Sequence, residues 1–149
     1  MTENVTPDLL TIAEYLKMNV STLRAVDAGF EAAAGADRNR TSPAALVLPS
    51  SAGYGPNKLD GAVRQERTHV FSVVLFFSGA GANGKAALLK FEAVKNGVLD
   101  ALIGWRHPLA HSRVMAVAER LLKFDAERPL VIYEMRFSHR SHVQKLTAS

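Results

Sequence analysis

Apolar residues fall on two different rhythms along this chain, and the rhythm changes mark its elements. Leu9, Ile12, Ala13, Leu16 and Val20 recur at helical spacing and give one buried face. Thr6-Pro7 reads as the helix start, with Thr as cap, Pro at the first helical position and Asp8 in the first turn. The pattern weakens at Asn19 and Ser21, which places the end near Met18. Leu23–Val26 reads as a short strand closed by Asp27-Ala28-Gly29, and Phe30–Ala34 as a turn or two of helix before the polar break Gly35–Ser42. Leu46-Val47-Leu48 is an apolar strand that Pro49 should end, because proline donates no ladder hydrogen bond. Ser50–Gly61, with its glycines, serines and Gly55-Pro56 pair, reads as a long exposed loop.

Val63–Phe77 is the longest strand candidate. Its first half, through His69, is polar on both faces; its second half, Val70–Phe77, is apolar on nearly all positions. One end is therefore expected to be buried and the other to project as an arm with unpaired backbone edges, which invite another chain. From Lys85 to Ile103 the helical rhythm returns, with Leu88, Phe91, Val94, Val98 and Leu102 facing the core and Glu92, Asn96 and Asp100 facing solvent. Gly104 stands where a C-terminal cap belongs, and Trp105 reads as a core anchor. Residues 114–124 contain helix formers, but Asp125–Pro129 reads as a connection between extended runs. They are taken as the antiparallel partner of a strand in which Val131, Tyr133, Met135 and Phe137 alternate with Ile132, Glu134, Arg136 and Ser138. The sum is helices and strands in a single domain spanning residues 1–149, with one long strand and a C-terminal hairpin.

Composition changes this picture little. No cysteine is present, which removes disulfides and thiolate metal sites. No apolar run reaches the roughly 18–20 residues of a membrane-spanning helix, and the polar start is unlike a secretory signal, so neither membrane nor secretion is expected and synthesis is placed in the cytoplasm. The net charge of +4 is uneven: residues 1–37 sum to −4 (six acids, Lys17 and Arg24), leaving +8 for the remainder. Those bases are scattered, with few aromatics among them, so a solvated basic surface is the default over sequence-specific nucleic-acid binding.

Three constellations could carry chemistry. Gly79–Lys85 satisfies both GxGxxG and GxxxxGK between a strand and a helix, the context of nucleotide loops. Against it, Ala86 replaces the Ser or Thr that would hold Mg²⁺, and Leu121–Asp125, the nearest second Mg²⁺ strand, is interrupted by Lys123. The following hairpin also breaks the strand–helix alternation such folds need. His107 and His111 are four apart across Pro108, and His139 and His142 point to opposite faces of a strand, so no metal site is expected. Nothing resembles a nucleophile elbow. No catalytic residue, cofactor or metal is assigned.

The element order resembles the tail terminator (tail completion) proteins of long-tailed bacteriophages. The likeness rests on Pro43–Pro49, Gly55-Pro56-Asn57, the Arg64-Gln65 start of the long strand, Phe71–Leu75, Leu88–Leu102, Gly104-Trp105, and the final hairpin with Phe137. It runs from about residue 7 to 140. The basic tail after Phe137 and the lysine-bearing glycine loop depart from it. The resemblance implies an α+β fold, with helices packed on one face of a mixed, mainly antiparallel sheet, and a non-enzymatic virion protein assembled in the host cytoplasm. It would form a ring, usually of six copies, on the head-proximal end of the tail tube. The ring would end tube polymerisation and join the head connector, with DNA crossing its channel without sequence-specific contact. Expected partners are other copies of the chain, the tail tube protein and the connector or neck protein. Tyr54, Asn57, Arg64, Arg67, His69 and Arg136 are the expected contact residues. Two other readings remain: another neck or tail-tube component, and a nucleotide-dependent enzyme using Gly79–Lys85.

Overall fold

The structure is a computed structural model that describes residues 4–30, 42–78, 84–127 and 130–146. Its described elements, in chain order, are α1 (Leu9–Asn19), β1 (Ala25–Ala28), β2 (Ala44–Tyr54), β3 (Val63–Ser78), α2 (Gly84–Leu102), β4 (Met115–Asp125) and β5 (Leu130–Lys145). The five strands form an open sheet in the order β1-β2-β3-β5-β4. Among the described strands the β1–β2 pair is parallel and the others antiparallel. The expected mixed, mainly antiparallel sheet, long strand and C-terminal hairpin are all present. The expected strand at 114–124 is present as Met115–Asp125.

The pleat sorts the core. Ala45, Val47, Phe71, Val73, Leu75, Phe77, Met135 and Phe137 meet Ile12, Leu16, Val94, Val98 and Leu102 from the two helices in one buried cluster. The opposite face carries a smaller apolar patch of Ala44, Leu46, Val74 and Phe76. Both described helices thus lie on one face, and Trp105 packs against the main cluster with its ring stacked on Tyr15 at 4.2 Å.

Several boundaries differ from expectation for identifiable reasons. Helix α1 starts at Leu9 because Asp8, not Thr6, is the cap: its carboxylate accepts the Thr11 N–H at 3.0 Å. The first strand lies two residues later than the pattern suggested, Ala25–Ala28 in place of Leu23–Val26. In α2 the core position is Ala87, while Leu88 is 56% exposed. At about 100° per residue, Leu88 stands roughly 80° off the centre of the Ala87, Phe91, Val94, Val98 and Leu102 stripe. Gly104 follows the helix with a φ of 84°, as a cap requires. Residues 31–34 of the expected short helix, and Gly79–Asn83 of the glycine run, lie outside the described residues.

Strand β2 does not stop at Pro49. It passes a register shift between Pro49 and Ser51 and continues to Tyr54, opposite Arg67. Proline is tolerated there because β1 flanks only Ala44–Val47, so Pro49 lies beyond the inner pairing, beside a bulge. The first part of the expected loop is therefore strand. Val63–His69 is likewise no free arm: β5 pairs β3 without a shift from Val63 opposite Lys145 to Ser78 opposite Leu130. On its other side Arg67–Val70 pairs with β2, while Gly55 donates to the Glu66 carbonyl and Lys58 to that of Arg64. Polarity on both faces marked a projecting tip, but a central strand has its backbone satisfied on both edges.

Candidate functional site

Free edges lie elsewhere. Among the described residues, strand β4 ends the sheet and pairs only with β5, by way of two register shifts, at Ala116/Ala118 and Leu121/Lys123. Ten of its eleven residues are exposed. Met115, Val117, Leu121, Leu122 and Phe124 are each between 45% and 61% exposed, so the strand offers apolar side chains on both faces beside unpaired backbone. Such an edge is normally shortened, charged or covered. The signal was present in the sequence, where apolar residues occupy both parities of Met115–Phe124, but nothing in the pattern said which strand would stand outermost. At the other end of the sheet, the outer side of β2 from Leu48 to Tyr54 faces no strand among the described residues.

Polar contacts hold β4 against the domain from both sides. On the helix side, Tyr133 donates its hydroxyl to Glu119 Oε1 at 2.7 Å, and Lys95 Nζ lies 3.5 Å from the same oxygen and 3.2 Å from Glu92. Burial, the Glu119 hydrogen bond and the nearby acids push the Tyr133 phenol up to about 12. Burial alone would lower Lys95, but its hydrogen bonds to Glu92 and Glu119 and their charges outweigh that and raise it. On the other face Glu134 accepts from Arg120 Nε and from the Ser72 hydroxyl, each at 2.9 Å, with Arg136 Nε at 4.0 Å. These groups fix the outermost strand in place while leaving its apolar side chains outside.

The second concentration of chemistry is the far end of the β3–β5 ribbon, where all five histidines gather. On the helix side His69, Phe71, His107 and His139 form a ring cluster, with His139 5.6 Å from His69 and 5.9 Å from His107 between centroids. His69 and His139 are 5% and 1% exposed, and neither ring nitrogen of His139 has a hydrogen-bond partner. Burial pushes both down to about 4, with the charges of Arg67, His107 and, for His139, His69 adding to it. His107 is differently placed. Its Nδ1 accepts the Leu109 N–H at 3.0 Å, which puts the ring proton on Nε2, 3.0 Å from Asp8 Oδ1. Burial opposes ionisation of Asp8, but the Thr11 N–H and hydroxyl and the His107 ring outweigh it and hold the carboxyl below its usual value. One side chain thus caps α1 and anchors the segment after α2.

Asp8→Ala is accordingly expected to remove the cap and the carboxylate bond of His107 Nε2, leaving that nitrogen only the backbone carbonyl of residue 8 at 3.2 Å. The two losses together are about 1–3 kcal/mol. In thermal denaturation that is a fall of roughly 3–10 °C, and Asp8→Asn should recover most of it. An Asp8→Ala midpoint within a degree of wild type would show that neither bond matters.

On the opposite face, Glu66 and His142 stand directly across the β3–β5 ladder, and His111 stacks on His142 at 4.2 Å with its Nε2 3.5 Å from Glu66 Oε2. Burial lowers His142, helped by His111, Arg64 and Lys58 and opposed by Glu66.

The expected contact residues lie at this same end, except Arg136, which stands mid-ribbon opposite Ser72. Tyr54 is 58% exposed at the close of β2, and Arg64 is exposed at the start of β3. Asn57 is committed to the connecting loop: its amide donates to the Leu59 and Ala62 carbonyls and accepts from the Leu59 and Arg64 N–H groups. Arg67 is half-buried with its Nη1 enclosed, His69 is internal, and Arg136 is half-buried beside Glu134. Lys85 of the glycine run is exposed in the first turn of α2.

The described residues thus form an open sheet with helices on one side and an exposed apolar edge strand. The chain belongs to the phage tail terminator family, whose model matches residues 3–147. It is thus a structural protein of the phage tail and a virion component. Among solved structures, a chain from one described as the virion of a native gene transfer agent particle has the same fold. Its TM-score is 0.55 at 12% identity, over 91% of this chain and 96% of that one. No curated protein sequence matches.

Proposed function

We propose that the chain assembles head to tail into a ring, hexameric as the family resemblance implies. The ring sits on the head-proximal end of the tail tube, ends tube polymerisation and offers its other face to the head connector. The observation that supports this reading is the pair of unlike free edges, apolar β4 at one side of the sheet and the outer side of β2 at the other. Two different edges on one subunit make a heterologous contact, and heterologous contacts close into rings when the rotation permits. In such a ring β4 of one copy lies against the β2 side of the next, covering the apolar side chains that the single subunit exposes. Tyr54 and Arg64 at the tip, with Arg136 on the sheet, then meet a neighbouring copy, the tube or the connector. Asn57, Arg67 and His69 hold the shape of the tip from within. DNA passes through the ring's channel, and none of this requires a catalytic group.

Negative-stain microscopy of the purified protein tests the reading. Discrete rings of one diameter are expected. Open-ended tubes would assign the chain to a tube or neck role instead, and monomers that persist in the presence of tail tubes would sink both.

A further inference from the structure

Glu66, His111 and His142 come from three separate segments: strand β3, the connection between α2 and β4, and strand β5. Nothing in their sequence spacing joins them. Register does: β5 sets His142 opposite Glu66, and the His111 N–H donates to the Arg140 carbonyl at 2.9 Å, which docks the connection on the edge of β5. One ligand atom from each of the three lies within 4.8 Å of the others. His111 Nε2 and Glu66 Oε2 are already 3.5 Å apart. Donors in a tetrahedral site with bonds of about 2.0–2.1 Å stand roughly 3.3–3.4 Å from each other, so small side-chain rotations bring the set to ligand distance.

From this convergence we propose that Glu66, His111 and His142 form a binding site for a divalent transition cation of the zinc class, with a fourth position open to water or to a group from a docked partner. Two imidazoles and a carboxylate are the donor set such cations take, and magnesium or calcium would want more oxygens. The two rings lie nearly parallel at 4.2 Å, so one cation can take a nitrogen from each. Arg140 Nη1 lies 3.4 and 3.5 Å from the two Glu66 oxygens and serves as the outer partner that orients the carboxylate. Arg140, with Arg64 and Lys58 close to His142, also adds positive charge, which keeps the affinity below that of a closed structural site. The cation ties the segment after α2 to both long strands at the sheet's polar end. It is a clamp on shape, independent of how the chain assembles.

Chelator-treated full-length protein titrated with Co²⁺, then with Zn²⁺, provides the test. One equivalent of Co²⁺ should give a visible d–d band that Zn²⁺ displaces, and Zn²⁺ should raise the thermal midpoint with increasing concentration. Glu66→Gln and His142→Asn, both close in shape to the originals, should each weaken Co²⁺ binding at least about tenfold. Absence of saturable binding to the folded wild-type chain would overturn the proposal, as would unchanged affinity in both variants. Ring formation recorded with and without chelator separates this outcome from that of the assembly reading.

Discussion

Leu121→Lys combined with Phe124→Lys should abolish ring formation and leave a folded monomer. Both side chains are more than half exposed on β4, so the subunit loses little when they change, within about 0.5 kcal/mol for surface positions. In an assembled ring the same positions would be covered. Burying a Lys head without a partner there costs several kcal/mol per contact, and a ring multiplies that by its number of interfaces. Edge lysines are also the device by which natural sheets prevent strand addition. Sedimentation and microscopy should therefore show the double variant as monomer at concentrations where wild type forms rings, with circular dichroism and thermal midpoint unchanged. Rings that survive the substitution would remove β4 from the interface. Loss of the folded monomer would instead assign the exposed leucine and phenylalanine to intrasubunit packing.

The second large effect is with pH. His69 and His139 are buried neutral, and burial with the neighbouring Arg67 and His107 charges holds both at about 4 against an ordinary 6.5. Between those values the unfolded chain binds protons that the folded chain refuses, so stability is full above pH 6.5 and falls as pH drops through the window toward 4. The loss is on the order of 3 kcal/mol per ring, large against a typical total of about 5–15 kcal/mol. Asp8, held below its usual value, adds its own loss at still lower pH. Urea denaturation at intervals from pH 7.5 to 4.5 should show the decline. His139→Leu should flatten it by about half while costing little at pH 7.5, since neither ring nitrogen of His139 has a partner to lose. A slope unchanged by that substitution would place the pH sensitivity elsewhere.

Much of the architecture was legible because burial imposes a period. Alternation in β5, the long apolar run of β3, the helical stripe of α2 and the glycine after it are all written locally. What the sequence hid depends on neighbours. Ser50–Tyr54 is made of loop-forming residues, yet it pairs as strand because β3 is already ordered beside it, and tertiary pairing overrides weak propensity. The tip of β3 looked free because polarity reports solvent on the faces of a strand and nothing about its hydrogen-bonding edges. The outermost place of β4 follows from strand order, which no single segment encodes. Of the expected contact residues, Tyr54 and Arg64 are exposed, as their polarity suggested, while the Glu66–His111–His142 convergence needs a register that spacings of three and four residues do not reveal.

That register has a mechanical meaning. Between Val63–Ser78 and Leu130–Lys145 the two longest strands are laced along their whole length, roughly 50 Å at strand rise, with no bulge to absorb error. A slip of β5 by one residue would turn Phe137 out of the core and bring Arg136 in, and the same slip of β3 would exchange Phe71 for Ser72. The ribbon can therefore neither creep nor be shortened by degrees. It is a yardstick: the distance from the helix-covered body to the polar tip is fixed in whole residues, and every copy of the chain presents its tip at the same height.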